Sequence, residues 1–118
     1  VLESDGVSKA IEVTEIISKN LFFDYKAKYT KGFSKHILPA NLSKTIYQQC
    51  LYFAKIVHDK LGCKGISRSD FLYDEEKVYF LEINNQPGLT PISLAPEQLN
   101  HKNISYDLLI QKIIEASL

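Results

Sequence analysis

Three polar side chains in the middle of the chain have the types and spacing of a site for a hard cation. Glu82 and Asn84 are two residues apart in a strand-like stretch, so both project from one face, roughly 6 to 7 Å apart along the backbone. Asp70 can join them if the chain folds back as a hairpin at the polar run 74–77. Two carboxylates that face each other across a ladder repel unless a positive charge lies between them. A divalent cation is the simplest such charge.

The register of this hairpin decides whether the polar residues share a face. A three-residue turn at 75–77 sets Asp70 opposite Glu82 and Arg68 opposite Asn84, whereas a four-residue turn splits them between the two faces. Apolar residues with odd numbers favour the first register, because burying them leaves the polar set on the other side. These apolar residues are Phe71, Tyr73, Tyr79, Leu81 and Ile83.

Three motifs carry a resemblance to a known family. They are R-x-D at 68–70, E-x-N-x-x-P-G-x-T-x-x-S at 82–93 and F-F-D-Y-K-A-K-Y at 22–29. Together they resemble the D-alanine:D-alanine ligases, which are ATP-grasp enzymes. E-x-N is common to many ATP-grasp enzymes, but the extension to P-G-x-T-x-x-S is more specific. Ser69 and Asn85 depart from the family, which usually has a small apolar residue and Ser, Thr or Pro there.

The resemblance implies a ligase that uses ATP and two Mg²⁺ or Mn²⁺ ions to join two D-alanines for peptidoglycan. Glu82 would bridge both ions beside the nucleotide, Asp70 would hold one and Asn84 the other, and oxygen ligands suit these metals. Arg68 would hold phosphoryl oxygens and stabilise the charge that grows during transfer. Without the resemblance, the two carboxylates are solvated and Arg68 is their structural partner, so these alternatives stay open.

Segment 22–29 supplies further implied contacts with the nucleotide. By resemblance, Lys28 contacts ATP phosphates and Phe22 contributes to nucleotide binding. Tyr29 would act in catalysis through hydrogen bonds to a Ser and a Glu that this chain lacks. The structural alternative is that Lys28 is a solvated loop lysine.

The segment after Asn84 is implied in substrate chemistry. Gly88 lets a backbone N–H approach a reacting carbonyl oxygen, and the matching glycine of the ligases helps to form the oxyanion hole. Ser93 and the N–H of Leu94 would bind the carboxylate of the second D-alanine. The structural alternatives are a turn glycine at Gly88 and the start of the next element at Ser93.

Composition excludes several classes of protein. Fourteen basic and fourteen acidic residues among 118 cancel, so no net field favours nucleic acid or an anionic membrane. No apolar run approaches 18 residues and no signal-peptide pattern is present, which predicts a cytoplasmic protein, and the resemblance implies a bacterial one. Cys50 and Cys63 are predicted to be reduced thiols. The histidines are predicted to be ordinary surface or boundary residues: His36, His58 and His101.

The chain is expected to be a piece of something longer. It contains no methionine and no Gly-rich phosphate loop of the common kinds. By resemblance, residues 1–118 are the C-terminal ATP-grasp domain, and the N-terminal and central domains supply the first D-alanine site and much of the adenine pocket. This chain alone should therefore be inactive. Its expected partners are ATP, D-alanine and those domains, and a homodimer of the full-length enzyme stays open.

The predicted fold is α+β, mainly an antiparallel sheet with flanking helices, as in a C-terminal ATP-grasp subdomain. Residues 10–14 and 21–25 are predicted strands, and 26–35 a loop. Apolar residues at three- and four-residue steps predict a helix that ends at Gly62 and begins after Asn41 or Ser43.

The second half of the chain is predicted to begin with the hairpin, which Gly65 opens. A polar turn then runs through Pro96, and Ser105 caps a last helix. The predicted buried stripe of that helix is Leu108, Leu109, Ile113 and Ala116.

Three alternatives remain at this point. A D-alanine:D-lactate ligase would share nearly all of these residues, although Tyr29 favours the dipeptide product. Another ATP-grasp ligase would share E-x-N but not the longer motif. A module that binds a divalent ion or a nucleotide without catalysis is the alternative from a different class.

Overall fold

The computed structural model describes residues 1–18 and 34–118. Within these ranges the chain forms three antiparallel strand pairs and three helices, which confirms the α+β class. The elements in chain order are β1 (Leu2–Ser4), β2 (Val7–Lys9), β3 (Glu15–Ser18), β4 (Ser34–Ile37), α1 (Lys44–Lys60), β5 (Arg68–Tyr73), β6 (Val78–Asn84), α2 (Leu94–His101) and α3 (Tyr106–Ser117). None of the helices in these two ranges is long and apolar enough to cross a membrane.

The strands near the N-terminus differ from the predicted ones. β1 and β2 pair across a turn at Asp5 and Gly6, both of which have positive φ. The strand predicted at 10–14 is wrong, because these residues form no ladder and the strand begins only at Glu15. Within the irregular stretch, the side chain of Glu12 is buried in an ion pair with Lys102.

β3 pairs with β4, and segment 19–33 joins the two strands in sequence. The loop predicted for 26–35 is wrong at its end, where Ser34 and Lys35 already belong to β4. The remainder of that loop and the strand predicted at 21–25 lie outside the described residues.

The helix α1 confirms the sequence prediction at both ends. Ser43 is its N-cap, and its hydroxyl accepts a hydrogen bond from the N–H of Ile46 at 3.3 Å. Asn41 has another role, since its own N–H donates to Glu15 Oε2 at 3.2 Å. The helix ends before Gly62, whose φ of +65° suits a residue without Cβ. The helix packs against β6, β5 and β2.

The second helix, α2, replaces the polar turn that the sequence predicted through Pro96. Pro96 is the third residue of this helix, a position where the missing N–H of proline costs no intrahelical bond. The last helix, α3, is capped as predicted, because the Ser105 hydroxyl accepts from the N–H of Leu108 at 3.2 Å. Leu109 of its stripe is fully buried, but Leu108 is 38% exposed, so its assignment to the buried stripe is wrong.

The hydrophobic core lies between the two C-terminal helices and the first strand. It consists of Leu2, Ile66, Leu99 and Leu109, against which Leu89, Ala95, Ile104, Ile113 and Ile11 pack. Leu2 also bridges to Ile66 in an isolated antiparallel pair. This core fixes α2 and the segment before it relative to the start of β5.

The prediction that His58 is a surface or boundary residue is wrong. His58 is 1% exposed, and its Nδ1 lies 2.7 Å from the hydroxyl of Ser67, just before β5. Burial lowers the pKa of His58, because the charged form loses its hydration. The contact thus joins α1 to the start of β5 by a neutral imidazole. Both cysteines are free thiols, as predicted.

The turn of the β5–β6 hairpin has four residues, 74–77, rather than the predicted three. Asp74 explains this, because its Oδ1 accepts hydrogen bonds from the N–H groups of Glu76 and Lys77 at 3.0 and 2.8 Å. These backbone donors lower the pKa of Asp74. Glu75, which lies between Asp74 and Glu76, takes a positive φ of 74°.

A β-bulge restores the register that the shorter turn was expected to give. Near the turn, Phe71 pairs with Phe80, but one step further Asp70 pairs with Glu82. Leu81 is the extra residue on β6 and has no partner in the ladder. Between the bulge and the turn, the odd- and even-numbered residues of β6 exchange faces. Tyr79 therefore pairs with Leu72 and shares a face with Asp70. The predicted place of Tyr79 in the opposite apolar set is therefore wrong.

Cysteine pairs can test the register of this hairpin. With Cys50 and Cys63 replaced by Ala, the double variant Asp70→Cys/Glu82→Cys should form a disulfide on mild oxidation, because directly opposite Cβ atoms lie about 4.5 to 5.5 Å apart. The control is Ser69→Cys/Glu82→Cys, which would pair in a bulge-free hairpin with a four-residue turn. Mass spectrometry should find the bridge in the first variant, and a bridge only in the second would refute the bulge.

Candidate functional site

The polar face of the hairpin brings together the four residues that the sequence predicted for it. Arg68 lies opposite Asn84, and Asp70 lies opposite Glu82. Residues 68 and 70 are two apart on β5, as are 82 and 84 on β6, so all four project to the same side. The predicted face is confirmed, although a bulge rather than a three-residue turn produces it.

Arg68 and Asp70 form a two-pronged ion pair along β5. Asp70 Oδ1 accepts from Arg68 Nε at 2.8 Å, and Asp70 Oδ2 accepts from Arg68 Nη2 at 3.1 Å. Their side chains are 20% and 29% exposed, so the pair is partly shielded from water. This is the structural role that the sequence left open for Arg68. The other guanidinium N–H groups are not used by Asp70 and can reach a second anion.

Glu82 and Asn84 complete an oxygen-rich face. Glu82 is exposed, and within residues 1–18 and 34–118 its carboxylate has no hydrogen-bond or ion-pair partner. Asn84 Oδ1 accepts from the N–H of Gln86 at 2.9 Å, which fixes the orientation of the amide. Two carboxylates and an amide oxygen on one face fit the donor set of Mg²⁺ or Mn²⁺. Asp70 and Glu82 lie directly opposite each other in the ladder, so one cation could serve both carboxylates.

The protein alone offers an incomplete cage for such an ion. In the part of the chain that the structure describes, no group of three or more His, Cys, Asp or Glu side chains is placed to hold a metal. Mg²⁺ commonly keeps several waters and takes phosphate oxygens beside one or two carboxylates. The donor set is therefore of the kind that a nucleotide completes.

Gly88 comes shortly after Asn84 in the chain and has a backbone N–H that can donate a hydrogen bond. It comes after the buried Pro87 and is itself half-buried, and Leu89 next to it packs on the core. Among the described residues, no group accepts a hydrogen bond from the N–H of Gly88. A donor held in place by the core and left unpaired is suited to a developing negative charge.

Ser93 stands at the N-terminus of α2 but does not cap it with its side chain. Its hydroxyl instead accepts from the N–H of Thr90 at 3.0 Å and lies 2.7 Å from Thr90 Oγ1. The N–H groups of Leu94 and Ala95 consequently find no acceptor among the described residues. Unpaired donors at a helix N-terminus favour a carboxylate or phosphate. Thr90 had no predicted role, although the T-x-x-S spacing is a signal for this turn.

Three residues with implied roles lie outside the described residues. They are Phe22, Lys28 and Tyr29, all within segment 19–33. Their assignments to the nucleotide and to catalysis remain predictions.

Comparison with known proteins gives a consistent result. A family model described as the D-ala D-ala ligase C-terminus matches residues 1–115. The chain is 47% identical over 115 residues to a D-alanine–D-alanine ligase of Caulobacter sp. (strain K31), covering 96% of this chain and 35% of that protein. It is 44% identical to the ligase of Rhizorhabdus wittichii, covering 94% of this chain and 37% of that protein.

Solved structures agree with these relatives. A crystal structure of D-alanine–D-alanine ligase from Bacillus anthracis complexed with ATP is 27% identical, with a TM-score of 0.72 over 91% of this chain and 35% of that chain. A second crystal structure of the Bacillus anthracis ligase gives a TM-score of 0.73 at 26% identity. This chain thus spans little more than a third of the length of the proteins it matches. Matched from residue 1 to residue 115, the chain belongs to the family of D-alanine–D-alanine ligase C-termini.

Proposed function

We propose that this chain is the C-terminal ATP-grasp domain, residues 1–118, of an ATP-dependent ligase that joins two D-alanines. The observation that carries the proposal is the shared face of Arg68, Asp70, Glu82 and Asn84, which the bulge in β6 makes possible. The first D-alanine site and much of the adenine pocket belong to other domains of the same protein. The short coverage of the relatives supports this division. A cytoplasmic location and a homodimer stay predictions.

In this proposal, two Mg²⁺ or Mn²⁺ ions accompany ATP. Glu82, Asp70 and Asn84 are the residues that would hold these ions. When bound, the ions neutralise the charge of the phosphates, which is what phosphoryl transfer chiefly needs. Asp70 orients the guanidinium of Arg68 with two hydrogen bonds and leaves its other N–H groups for the transferred phosphoryl group.

The remaining residues bind the nucleotide, the reacting carbonyl oxygen or the second D-alanine. Lys28 and Phe22 contact the nucleotide, and Tyr29 acts together with residues of the other domains. The N–H of Gly88 donates to the carbonyl oxygen that becomes negative in the tetrahedral intermediate. Ser93 and the N–H of Leu94 bind the carboxylate of the second D-alanine and so aim its amine.

The proposed reaction is a phosphoryl transfer followed by an acyl transfer, and neither step needs an oxidant or a reductant. The carboxylate of the first D-alanine attacks the γ-phosphorus of ATP, ADP leaves, and an acyl phosphate forms. The amine of the second D-alanine attacks the acyl carbon, loses a proton and expels inorganic phosphate. Arg68 and Gly88 act at the two sites where negative charge grows, on the phosphoryl group and on the acyl oxygen.

Substitution of Glu82 tests the metal assignment in the complete protein. Glu82→Gln keeps the shape of the side chain but removes the charge, so D-alanine-dependent phosphate release should fall at least about a hundredfold. The matched control is Glu75→Gln in the exposed turn, which should leave activity within about twofold. Similar activity of the two variants would mean that Glu82 is only a solvated carboxylate.

Substitution of Ser93 tests the acceptor site. Ser93→Ala removes a hydrogen bond to a charged group, so the KM for the second D-alanine should rise about ten- to a hundredfold. The KM for ATP at saturating D-alanine should stay near that of the parent. Ser105→Ala is the control, since it removes a serine at another helix start, where the cost is only stability. The assignment fails if the acceptor KM is unchanged or if both constants rise equally.

A further inference from the structure

One side of α2, continued by its C-cap residue Lys102, carries four polar side chains that contact residues near β3 and β4. Glu97 Oε2 lies 2.6 Å from His36 Nδ1, and Gln98 Nε2 donates to Thr14 Oγ1 at 2.9 Å. At the other end, Lys102 Nζ lies 2.9 Å and His101 Nε2 3.7 Å from Glu12 Oε2. Positions 97, 98, 101 and 102 share one side of a helix. The polar contacts therefore fasten α2 and its C-terminal end to β4 and to the residues before β3.

Because the side chain of Glu12 is buried, the attachment of α2 depends on particular partners. The side chain of Glu12 is only 2% exposed, so its charge requires the cation of Lys102, and its Oε1 also accepts from the N–H of Val13 at 3.1 Å. His36 is 19% exposed at its side chain. On another side of α2, Leu99 is buried in the core. The helix is thus fixed on two sides and has little freedom to rotate.

The attachment nearest to the acceptor end of α2 is the one between Glu97 and His36. The N–H of Glu97 donates to the carbonyl oxygen of Ser93 at 3.2 Å in the first helical turn. His36 pairs with Ile16 in the β3–β4 ladder. That strand pair is the one from which segment 19–33 departs, and Lys28 lies in that segment. One hydrogen bond accordingly links the first turns of α2 to β4, the strand that follows segment 19–33 in sequence.

We propose that Glu97 is a positioning residue, which through its hydrogen bond with His36 sets where Ser93 and the N–H of Leu94 present themselves to the second D-alanine. This inference rests on the proposed function of Ser93. Glu97 itself touches neither substrate nor nucleotide in this account. Its removal should loosen the acceptor site while the polar face of the β5–β6 hairpin keeps its geometry.

The test uses the complete protein and a double-mutant cycle. Glu97→Ala and His36→Ala should each raise the KM for the second D-alanine about three- to tenfold, the size expected when one partly buried hydrogen bond is lost. The double variant should be no worse than the singles, because both remove the same contact. The KM for ATP at saturating D-alanine should stay within about twofold. Glu97→Gln, which keeps hydrogen-bonding capacity, should show a smaller rise and covers the case of an Ala variant that does not fold.

A variant in which the acidic and basic side chains exchange places distinguishes a positioning role from a purely stabilising one. The double variant His36→Glu/Glu97→Lys places an ammonium group opposite a carboxylate, so a contact can form again and should bring the acceptor KM back towards the parent. The control cycle is Gln111→Ala and Glu115→Ala, which removes a hydrogen bond of 2.7 Å inside α3 and should leave both KM values unchanged.

Each other outcome overturns the inference in a recognisable way. An active parent whose Glu97 and His36 variants unfold at lower temperature but keep the acceptor KM would make the pair purely structural. Additive effects without rescue by His36→Glu/Glu97→Lys would have the same meaning. A complete parent protein without D-alanine-dependent phosphate release would instead overturn the proposed function, and the positioning role would fall with it.

Discussion

The site depends on the register between β5 and β6. Asp74 accepts two backbone N–H groups and so holds a four-residue turn, which alone would set Glu82 opposite Ser69. The extra residue Leu81 shifts the strand by one place, so that Glu82 meets Asp70 instead. Such a bulge leaves one residue unpaired, and it re-aims every side chain that follows it. Arg68 compensates the charge of Asp70, and a bound cation would compensate that of Glu82.

The rest of the described structure holds this hairpin and the segment after it in place. α1 packs against both strands, and the buried His58 joins the helix to Ser67 at the start of β5. Leu89 packs on the core just after Gly88, so the N–H of that glycine, which has no acceptor in ranges 1–18 and 34–118, sits on a fixed backbone. The turn between Thr90 and Ser93 then leads directly into α2. One continuous stretch of chain therefore carries the metal-type donors, the candidate oxyanion donor and the candidate acceptor site in sequence.

Much of this could be predicted from the sequence, because several signals are local. The caps of α1 and α3 follow from Ser43 and Ser105, whose hydroxyls reach N–H groups three residues on. The polar face followed from two-residue spacing, but the bulge did not, since no residue type marks Leu81 as unpaired. α2 was missed because Pro96 reads as a turn residue, whereas at the third position of a helix it costs nothing. The burial of His58 was not predicted, because its partner Ser67 lies nine residues later, just before β5.

Mn²⁺ binding in the presence of ATP is the most direct test of the account, measured on the complete protein by electron paramagnetic resonance. The exchange variant Leu81→Glu/Glu82→Leu keeps the composition and moves one carboxylate by a single position, from the paired site to the bulge. We expect it to weaken Mn²⁺ binding at least about tenfold, because the carboxylate proposed to bind the ions leaves the face of Asp70 and Asn84. Deletion of Leu81 is the control, since it removes the bulge but leaves Asp70 opposite Glu82, and binding should stay within about threefold. Undiminished Mn²⁺ binding by the exchange variant would contradict the claim that the paired position of Glu82 makes the site.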